Sequence, residues 1–348
     1  MSPLPVVSSA LRTVLVLGGR GRFGLTAAQA FAREGWRVLA QLRPGATAPQ
    51  VAGVQWLDQA VDTPAGLQAL ISAAEGASVV VHALNPSSYT RQAWERENGP
   101  LLKSGMAVAK ALGATLMLPG NVYNFGESMP PVLMEGAPYR PSMAMGRIRT
   151  GMEEHLEAAT QRGELRAVIV RAGNFYGQGQ GTWLDLAMLK GIRGGKLVFP
   201  GPLDVATPWA YLPDLAQTFV ELARVHDTLA AFESLHFAGH TLAGHEWVRD
   251  LQHVAHTQGW LPADKALRVG GLPWPLLGLL GPLVPGWAAL SSLRYLWNQP
   301  HRLDNRRLVS IIGREPHTPW PLALGRTLQH LELLPQAPAA AHALATAA

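Results

Sequence analysis

The sequence predicts an α/β fold in which a doubly wound parallel sheet is joined to a smaller C-terminal substrate domain. Two observations support this prediction. Apolar strand candidates alternate with helix candidates through the first half of the 348-residue chain, which favours parallel strands covered by helices on both faces. A glycine-rich turn also stands between the first strand and the first helix, as in a nucleotide-binding βαβ unit. We therefore expect a Rossmann fold.

The predicted elements follow one another regularly as far as residue 173. The strands are TVLVLGG from Thr13, WRVLAQLR from Trp36, VQWLD from Val54, ASVVVHAL from Ala77, ATLMLPG from Ala114 and LRAVIVRAG from Leu165. The helices are FGLTAAQAFAREG from Phe23, PAGLQALISAAEG from Pro64, ENGPLLKSGMAVAKALG from Glu97 and GMEEHLEAATQRG from Gly151. Glycines close these helices, as is usual at helix C-termini.

The second half of the chain is less regular. It reads as a helix TWLDLAMLKGIRGG from Thr182, a strand KLVFPG from Lys196, a helix LPDLAQTFVELARV from Leu212, a strand ESLHFAG from Glu233 and a helix LAGHEWVRDLQHVAHTQG from Leu242. We assign residues 12–173 and 206–238 to the dinucleotide-binding domain and residues 174–205 and 239–334 to the substrate domain. The alanine-rich residues 335–348 are predicted to be a disordered tail.

Composition excludes several classes of function. The net charge is +5 and the pI about 9.7, but the basic residues are spread along the chain. No zinc-finger pattern or aromatic-basic array accompanies them, so a nucleic-acid partner is not expected. The chain has no cysteine, which rules out disulfides and thiolate nucleophiles. No set of histidines and carboxylates has metal-ligand spacing, so we predict no metal site.

The apolar stretch LPWPLLGLLGPLVPGWAALSSLRYLW runs from Leu272 to Trp297. Its four prolines argue against a continuous membrane-spanning helix, because each removes a backbone donor and clashes with the preceding turn. We therefore predict no membrane span and expect short helices and loops over a pocket or a subunit interface. A membrane-surface patch is the alternative. The N-terminus lacks the basic region of a signal peptide, and we expect a cytoplasmic protein that begins near Met1.

The turn LGGRGRFG predicts a dinucleotide site. Gly18, Gly21 and Gly24 have the spacing G-x-x-G-x-x-G between a strand and a helix. Glycine permits the tight turn and lets backbone N–H groups approach a pyrophosphate, while the helix N-terminus adds unpaired donors and a favourable dipole. An ordinary strand-helix turn is the alternative, but the complete strand-turn-helix-strand unit argues against it.

The end of the second strand favours NADP(H) over NAD. A preference for NAD usually requires an acidic residue there, whereas this chain has Gln41, Leu42 and Arg43. Arg20 and Arg22 flank the same site, and a guanidinium suits a 2′-phosphate. Asp58, at the end of the third strand, is a candidate to accept a hydrogen bond from the adenine amino group.

Motifs between residues 12 and 333 make the chain resemble the extended short-chain dehydrogenase/reductase family, also called the NAD-dependent epimerase/dehydratase family. The matching segments are NVYNFGE from Asn121, VRAGNFYGQGQG from Val170 and WAYLPDLAQTFVELA from Trp209, together with the glycine spacing. The resemblance implies a Rossmann domain with a smaller substrate domain. It also implies that Asn174 and its neighbours border the nicotinamide and the substrate.

The catalytic positions of that family are all substituted. The family uses a tyrosine and a lysine four residues apart, and the matching positions are Met145 and Arg149; its active-site serine or threonine corresponds to Pro119. Methionine carries no titratable proton. Arg149 could bond the nicotinamide ribose as a permanent cation, but it cannot shuttle a proton.

An acid would therefore have to come from elsewhere, and Tyr123 and Tyr139 are the candidates we carry forward. Tyr89 and Tyr176 are further phenols near the site by family position. Each of them is more often a packing or hydrogen-bonding residue than a catalyst. His82, on a predicted buried strand, is expected to be a core histidine with its hydrogen bonds satisfied rather than a base.

Two functions from different classes remain open. The first is an atypical NADP(H)-dependent oxidoreductase or epimerase-like enzyme acting on a small organic substrate. The second is a dinucleotide-binding redox sensor or regulator without turnover, favoured by the loss of all three catalytic groups. The family's sugar-nucleotide members usually carry an arginine near the position of Thr207, and its absence here argues against a nucleotide sugar. The tryptophan-rich second half leaves open an apolar substrate, and a homodimer also remains open.

Overall fold

A computed structural model describes residues 12–281, 283–284 and 286–336. The expected start near Met1 and residues 337–348 of the predicted tail lie outside the described residues. The strands are β1 (Thr13–Leu17), β2 (Arg37–Leu42), β3 (Val54–Asp58), β4 (Ala77–His82), β5 (Thr115–Gly120), β6 (Val132–Leu133), β7 (Arg166–Arg171), β8 (Asn174–Tyr176), β9 (Lys196–Phe199), β10 (Ala206–Tyr211), β11 (Phe232–His236), β12 (His240–Ala243), β13 (Arg268–Gly271) and β14 (Arg302–Leu303).

The helices are α1 (Arg22–Arg33), α2 (Pro64–Ala73), α3 (Arg91–Leu112), α4 (Ala144–Gln161), α5 (Leu212–Arg224), α6 (Gly244–Thr257), α7 (Trp274–Leu280), α8 (Trp287–Ser291), α9 (Tyr295–Asn298), α10 (Arg306–Ile312) and α11 (Trp320–His330). Short 3₁₀ turns cover Tyr123–Phe125 and Ile192–Gly194, and a π turn covers Leu184–Met188.

Seven parallel strands form the central sheet in the order β11-β7-β5-β4-β1-β2-β3. The chain builds the sheet outward from β1 to β3 and then returns to β4 on the other side of β1. This confirms the predicted doubly wound parallel sheet. The order reverses between β1 and β4, and ligands of such sheets bind at the carboxyl ends of the strands beside that point.

Both faces of this sheet are covered, which explains its apolar strands. All five residues of β1 are buried. Helices α1 and α5 pack on one face through a cluster that includes Phe23, Phe31 and Phe219. Helices α2, α3 and α4 cover the other face through a cluster that includes Leu70, Leu102 and Leu156. The packing of the helices on both faces holds the first turns of α1 and α4 close to the carboxyl ends of the strands.

Three small sheets lie outside the central one. Strand β10 pairs in parallel with β8 and antiparallel with β12, β9 pairs with β13, and β6 pairs with β14. Strand β10 therefore belongs to a small sheet, although our division assigned residues 206–238 to the dinucleotide-binding domain as a whole. The division into two domains stays a prediction, with β10 at its boundary.

Most tryptophans of the second half form a core. Trp209 and Trp297 are fully buried with their rings 5.7 Å apart, and Trp274 donates from Nε1 to the Pro200 carbonyl at 2.7 Å. These three side chains therefore belong to one buried cluster and do not line an open pocket. Trp183 and Trp287 are only partly buried at its edge.

Two helices differ from the predictions. Residues 182–195 form only the π turn and a 3₁₀ turn instead of a continuous helix, although Asp185 accepts from the N–H groups of Gly181 and Thr182 at 2.6 Å, as at the start of a helix. Helix α3 begins earlier than predicted because the Thr90 hydroxyl caps it. Leu272–Trp297 does contain short helices, as predicted. No helix within the described residues has the length and apolar character needed to cross a membrane.

Candidate active site

The glycine turn between β1 and α1 has no room for a side chain at Gly18 or Gly24. Gly18 has φ +72°, and a Cβ there would lie 2.8 Å from the Ala83 carbonyl oxygen at the end of β4. A Cβ on Gly24 would lie 2.3 Å from the Gly18 carbonyl oxygen. Glycine is thus required at the first position for its backbone conformation and at the third for the close approach of turn and helix.

The N-terminus of α1 is open to an anion. Gly21 is the N-cap residue, the first turn of the helix contains no acidic residue, and no described side chain caps it. The first N–H groups of a helix have no partner within the helix, and they attract negative charge together with the helix dipole. The combination of an open helix end and a close glycine turn fits a diphosphate.

Gln41 supports this turn, a role that the sequence analysis did not assign. Its side chain is buried in β2; Oε1 accepts from the Gly18 N–H at 3.0 Å, and Nε2 donates to the Leu42 and Gln59 carbonyls, each at 2.7 Å. A polar residue inside an otherwise apolar strand was the available signal. The side chain fixes the start of the turn through hydrogen bonds that all have partners.

The three arginines predicted around the dinucleotide have different surroundings. Arg20 and Arg43 are exposed, Arg43 directly after β2. Arg22 donates to the Gln180 carbonyl at 3.0 Å, and its stem lies against Gly179. Arg22 thus links the start of α1 to the loop after β8, while the other two remain available to a ligand. Asp58 receives the Gly45 N–H at 3.2 Å, which orders the loop after β2; its adenine role stays a prediction.

The positions of the family's catalytic pair lie on the first turns of α4. Met145 is 2% exposed and packs with Val122 and Leu293. Arg149, one turn later, places its guanidinium carbon 5.8 Å from the centre of the Trp94 ring. Its Nε is buried, and no hydrogen bond or ion pair joins Arg149 to another described residue. The helix therefore presents an apolar side chain followed by an unpaired cation.

Tyr139 stays a candidate acid only as a prediction, and its surroundings do not favour that role. Its hydroxyl donates to Glu153 at 2.9 Å and accepts from Arg171 at 2.6 Å, within a buried pair in which Arg171 donates to Glu153 at 2.7 Å. Burial raises the pKa of Tyr139 to about 12. The hydroxyl is thus fully used in holding α4 to β7.

Tyr123 follows β5 and forms a pair with Tyr89. Their hydroxyl oxygens lie 2.8 Å apart, and burial raises the pKa of both phenols. A phenol with a raised pKa gives up its proton less readily. The role of Tyr123 as an acid stays a prediction, and its placement suits a hydrogen-bond donor better.

The remaining predicted residues are mostly structural. Tyr176 is fully buried, and its hydroxyl bonds to Nδ1 of His240 at 2.8 Å. Asn174 is half-buried in β8 beside Trp209 of β10, so its place next to the nicotinamide stays a prediction. His82 is 4% exposed with Nε2 3.0 Å from the Leu101 carbonyl, which confirms that it is a satisfied core histidine.

Residues 14–235 match the NAD dependent epimerase/dehydratase family, and because they make up more than half of the chain, the protein belongs to this family. The resemblance identified from the motifs is thus confirmed. A protein from Streptomyces sp, named 3-diazoavenalumate denitrifying reductase, is 28% identical over 329 residues that cover 90% of this chain and 99% of that protein.

Two solved structures show the same fold. MoeE5, in complex with UDP-glucuronic acid and NAD, has a TM-score of 0.68 and 16% identity over 92% of this chain and 99% of its own. UDP-glucose 4-epimerase from Thermotoga maritima, with UDP-glucose, has a TM-score of 0.68 and 14% identity over 92% of this chain and 99% of its own. At these identities the likeness concerns the fold.

Proposed function

We propose that the protein is a reductase that binds a reduced nicotinamide coenzyme, NADPH in preference to NADH, and directs its hydride to a small organic substrate without a tyrosine acid. One observation carries the proposal: the glycine turn and the open end of α1 fit a diphosphate, while two positions that the family uses for catalysis hold Met145 and Pro119. Binding of the coenzyme is thus retained and ordinary alcohol–ketone chemistry is not supported.

The residues that would hold the coenzyme lie along the edge between β1 and β2. Gly18, Gly21 and Gly24 would let the N–H groups at the start of α1 reach the diphosphate. Arg43 and Arg20 are exposed and free to meet a 2′-phosphate, and Asp58 is the candidate for the adenine. When bound, a reduced nicotinamide supplies hydride; MoeE5, the neighbour solved with NAD, supports this class of coenzyme.

A substrate whose reduction needs no separate acid suits this site, and the printed name of the Streptomyces relative suggests a diazo compound. Hydride that arrives at the terminal nitrogen of an aryl diazonium forms an N–H bond. The C–N bond then breaks, the hydrogen passes to the ring carbon, and dinitrogen leaves. The charge of the diazonium is neutralised by the hydride, so no outside proton is consumed. An acid such as Tyr123 is then unnecessary.

The proposed diphosphate site at the start of α1 is tested by placing a negative charge at its N-cap residue. Gly21→Asp should cap α1 and leave it folded, since the backbone of Gly21 has φ −66° and Asp is a favoured N-cap residue. Its carboxylate would repel a diphosphate, so we expect NADPH affinity measured by fluorescence titration to fall at least tenfold. Gly21→Asn is the matched neutral control and should lose much less. Equal NADPH affinity in the wild type, Gly21→Asp and Gly21→Asn would contradict a diphosphate site at the start of α1.

Coenzyme preference is tested with Arg43→Ala. Loss of a charge-assisted contact to the 2′-phosphate should weaken NADPH about tenfold or more and leave NADH unchanged. Arg37→Ala, at the other end of β2 and also exposed, is the control and should change neither affinity. Equal losses for NADPH and NADH would remove the reason for choosing NADP(H).

Turnover separates the reductase from the alternative, a coenzyme-binding sensor or regulator, which the substituted positions 119, 145 and 149 favour. Purified protein with NADPH would be offered an aryl diazonium, ketones, aldehydes and enones, with protein-free and Gly21→Asp reactions as controls for uncatalysed reduction. We expect saturable loss of NADPH with the diazonium and release of dinitrogen. Tight NADPH binding without turnover on any compound would indicate the sensor instead.

A further inference from the structure

Five side chains meet at the carboxyl ends of β4 and β5, and we call them the Trp94 cluster: Trp94, Arg149, Tyr89, Tyr123 and Tyr295. The Trp94 ring is its centre, with the Tyr89 ring edge-on at 5.6 Å, the Tyr123 ring at 6.4 Å and the Arg149 guanidinium at 5.8 Å. Tyr295 approaches from α9, and the pKa of Tyr89 is raised in part by Tyr123 and Tyr295. Tyr89 is 41% exposed, so the cluster can be reached from solvent.

The charges at this place do not balance. Two arginines, Arg149 and Arg171, lie near one buried carboxylate, that of Glu153. Glu153 is committed to Arg171 at 2.7 Å and to the Tyr139 hydroxyl. Arg149 feels the same carboxylate only through space, so these three groups carry one positive charge in excess. The Arg149 side chain is half-buried, and its Nε is buried without a partner among the described residues. A half-buried guanidinium without a hydrogen-bonded partner in the fold is available to an anionic ligand.

The hydroxyls of the cluster present donors and lack an acceptor. One of Tyr89 and Tyr123 donates to the other, which leaves the second hydroxyl proton of the pair free to donate elsewhere. Tyr295 is 7% exposed, and its hydroxyl is buried without a partner within the described part of the chain. Burial raises the pKa of all three phenols, so they remain protonated donors at neutral pH. A buried group without its partner calls for an explanation.

We propose that the Trp94 cluster binds the carboxylate of a planar conjugated organic acid, with Arg149 and the hydroxyls of Tyr295 and the Tyr89–Tyr123 pair as donors and the exposed Tyr89 ring as the aromatic surface. A carboxylate accepts several hydrogen bonds, pairs with a guanidinium in two-point geometry and neutralises it. The nicotinamide ribose, which the family resemblance assigned to Arg149, is neutral and would leave the charge in place. The inference rests on the proposed reductase and names the class of its substrate.

The experiment measures equilibrium binding, so that its outcome does not depend on turnover. Trans-cinnamate is the probe, and cinnamamide, which has the same shape without the charge, is its matched control. Each is titrated by tryptophan fluorescence, without coenzyme and with saturating NADP⁺. We expect cinnamate to bind at least tenfold more tightly than cinnamamide. If coenzyme binding fails, the titration without coenzyme still tests this inference by itself.

Variants assign the preference to the cluster. Arg149→Met should abolish the preference for cinnamate, Tyr295→Phe should reduce it about threefold or more, and Arg147→Met, an exposed neighbour on the same helix, should leave it intact. NADPH affinity should be equal in all of them. If Arg149→Met fails to fold, Arg149→Lys is the substitute. It keeps the charge but loses the planar guanidinium that can bind a carboxylate at two points, so it should bind cinnamate less tightly than the wild type.

Three results would overturn the inference. Equal affinity for cinnamate and cinnamamide would show that the cluster does not recognise the charge, and absence of cinnamate binding would exclude this class of acid. Weaker NADPH binding by Arg149→Met with unchanged cinnamate affinity would return Arg149 to the ribose.

Discussion

Two arginines near α4, the buried Arg171 and the half-buried Arg149, have different surroundings. Arg171 is fully buried, donates to Glu153, to the Tyr139 hydroxyl and to the Asn121 carbonyl, and stacks between Phe125 and Tyr139 at 5.3 and 5.2 Å. Arg149 has the face of Trp94 and no hydrogen bond or ion pair to another described residue. The Nε atoms of both side chains are buried without a partner within the described residues, so the difference lies in the terminal nitrogens. Those of Arg171 are bonded within the fold, whereas those of Arg149 have no bond to the described residues and are available to a ligand.

The largest expected effect comes from breaking the satisfied site. Arg171→Met leaves the Glu153 carboxylate buried without its partner, which typically costs about 3 to 5 kcal/mol. The free energy of unfolding in urea should fall by that amount. Arg147→Met, on the solvent face of α4, should change it by less than about 0.5 kcal/mol. A loss as small as that of the control would mean that the Arg171–Glu153 pair does not hold the fold.

Low pH should reduce the free energy of unfolding through His236, which lies near Arg171. Burial, together with the charge of Arg171, lowers the pKa of His236 to about 4, while the Leu133 carbonyl and Asp304 oppose the shift. Between pH 6.5 and 4 the unfolded chain therefore binds the proton that the folded chain refuses. Stability is complete above pH 6.5 and falls by about 1.4 kcal/mol per pH unit below it, until pH 4.

The measurement compares the wild type with His236→Gln in urea unfolding at each pH. The difference between their unfolding free energies should shrink as the pH falls from 6.5 to 4 and stay constant above 6.5. Glu135, which accepts from the His236 backbone N–H at 2.9 Å, is present in both proteins and cancels. Parallel pH profiles would contradict a neutral buried His236.

A smaller effect separates a structural phenol from a catalytic one. Tyr139→Phe removes the hydroxyl that lies between Arg171 and Glu153 and should cost about 1.5 to 3 kcal/mol of stability, as for hydrogen bonds to charged groups. Any turnover of NADPH should stay within about twofold of the wild type, because this hydroxyl has no free hydrogen bond for a substrate. A large fall in turnover with unchanged stability would restore Tyr139 as the acid.

The sequence predicted the fold because its signals were local and repeated. Apolar runs such as Thr13–Leu17 specify buried parallel strands, and the glycine spacing specifies the turn that follows. The helix predicted over residues 182–195 was wrong beyond its start. Asp185 accepts from the Gly181 and Thr182 N–H groups as at a helix N-terminus, but the chain continues only as a π turn and a 3₁₀ turn, and two glycines, Gly194 and Gly195, close the segment.

The sequence predicted those features of the site that lie within a single motif, but not the contacts between distant segments. The presence of Met145 and Arg149 at the family's catalytic positions could be read directly from the sequence. The polar Gln41 within a largely apolar strand was also visible there. The pairing of Arg171 with Glu153 and the absence of a partner for Arg149 could not be read in this way, since they depend on which chain segments meet across the sheet edge. Tyr295 lies in an apolar stretch far along the chain, and only the placement of α9 over the strand ends brings it to Trp94.

The smallest expected effect completes the comparison of the two arginines. Arg149→Met removes a guanidinium that has no hydrogen bond to Glu153; burial lowers the pKa of Arg149, and the charge of Glu153 only partly opposes this. Its loss should therefore change the free energy of unfolding by less than about 1 kcal/mol or raise it, since buried charges are often replaced by apolar groups at no cost. Urea unfolding beside Arg171→Met is the measurement. A loss of about 3 kcal/mol or more would show that Arg149 has a partner in the fold and needs no ligand.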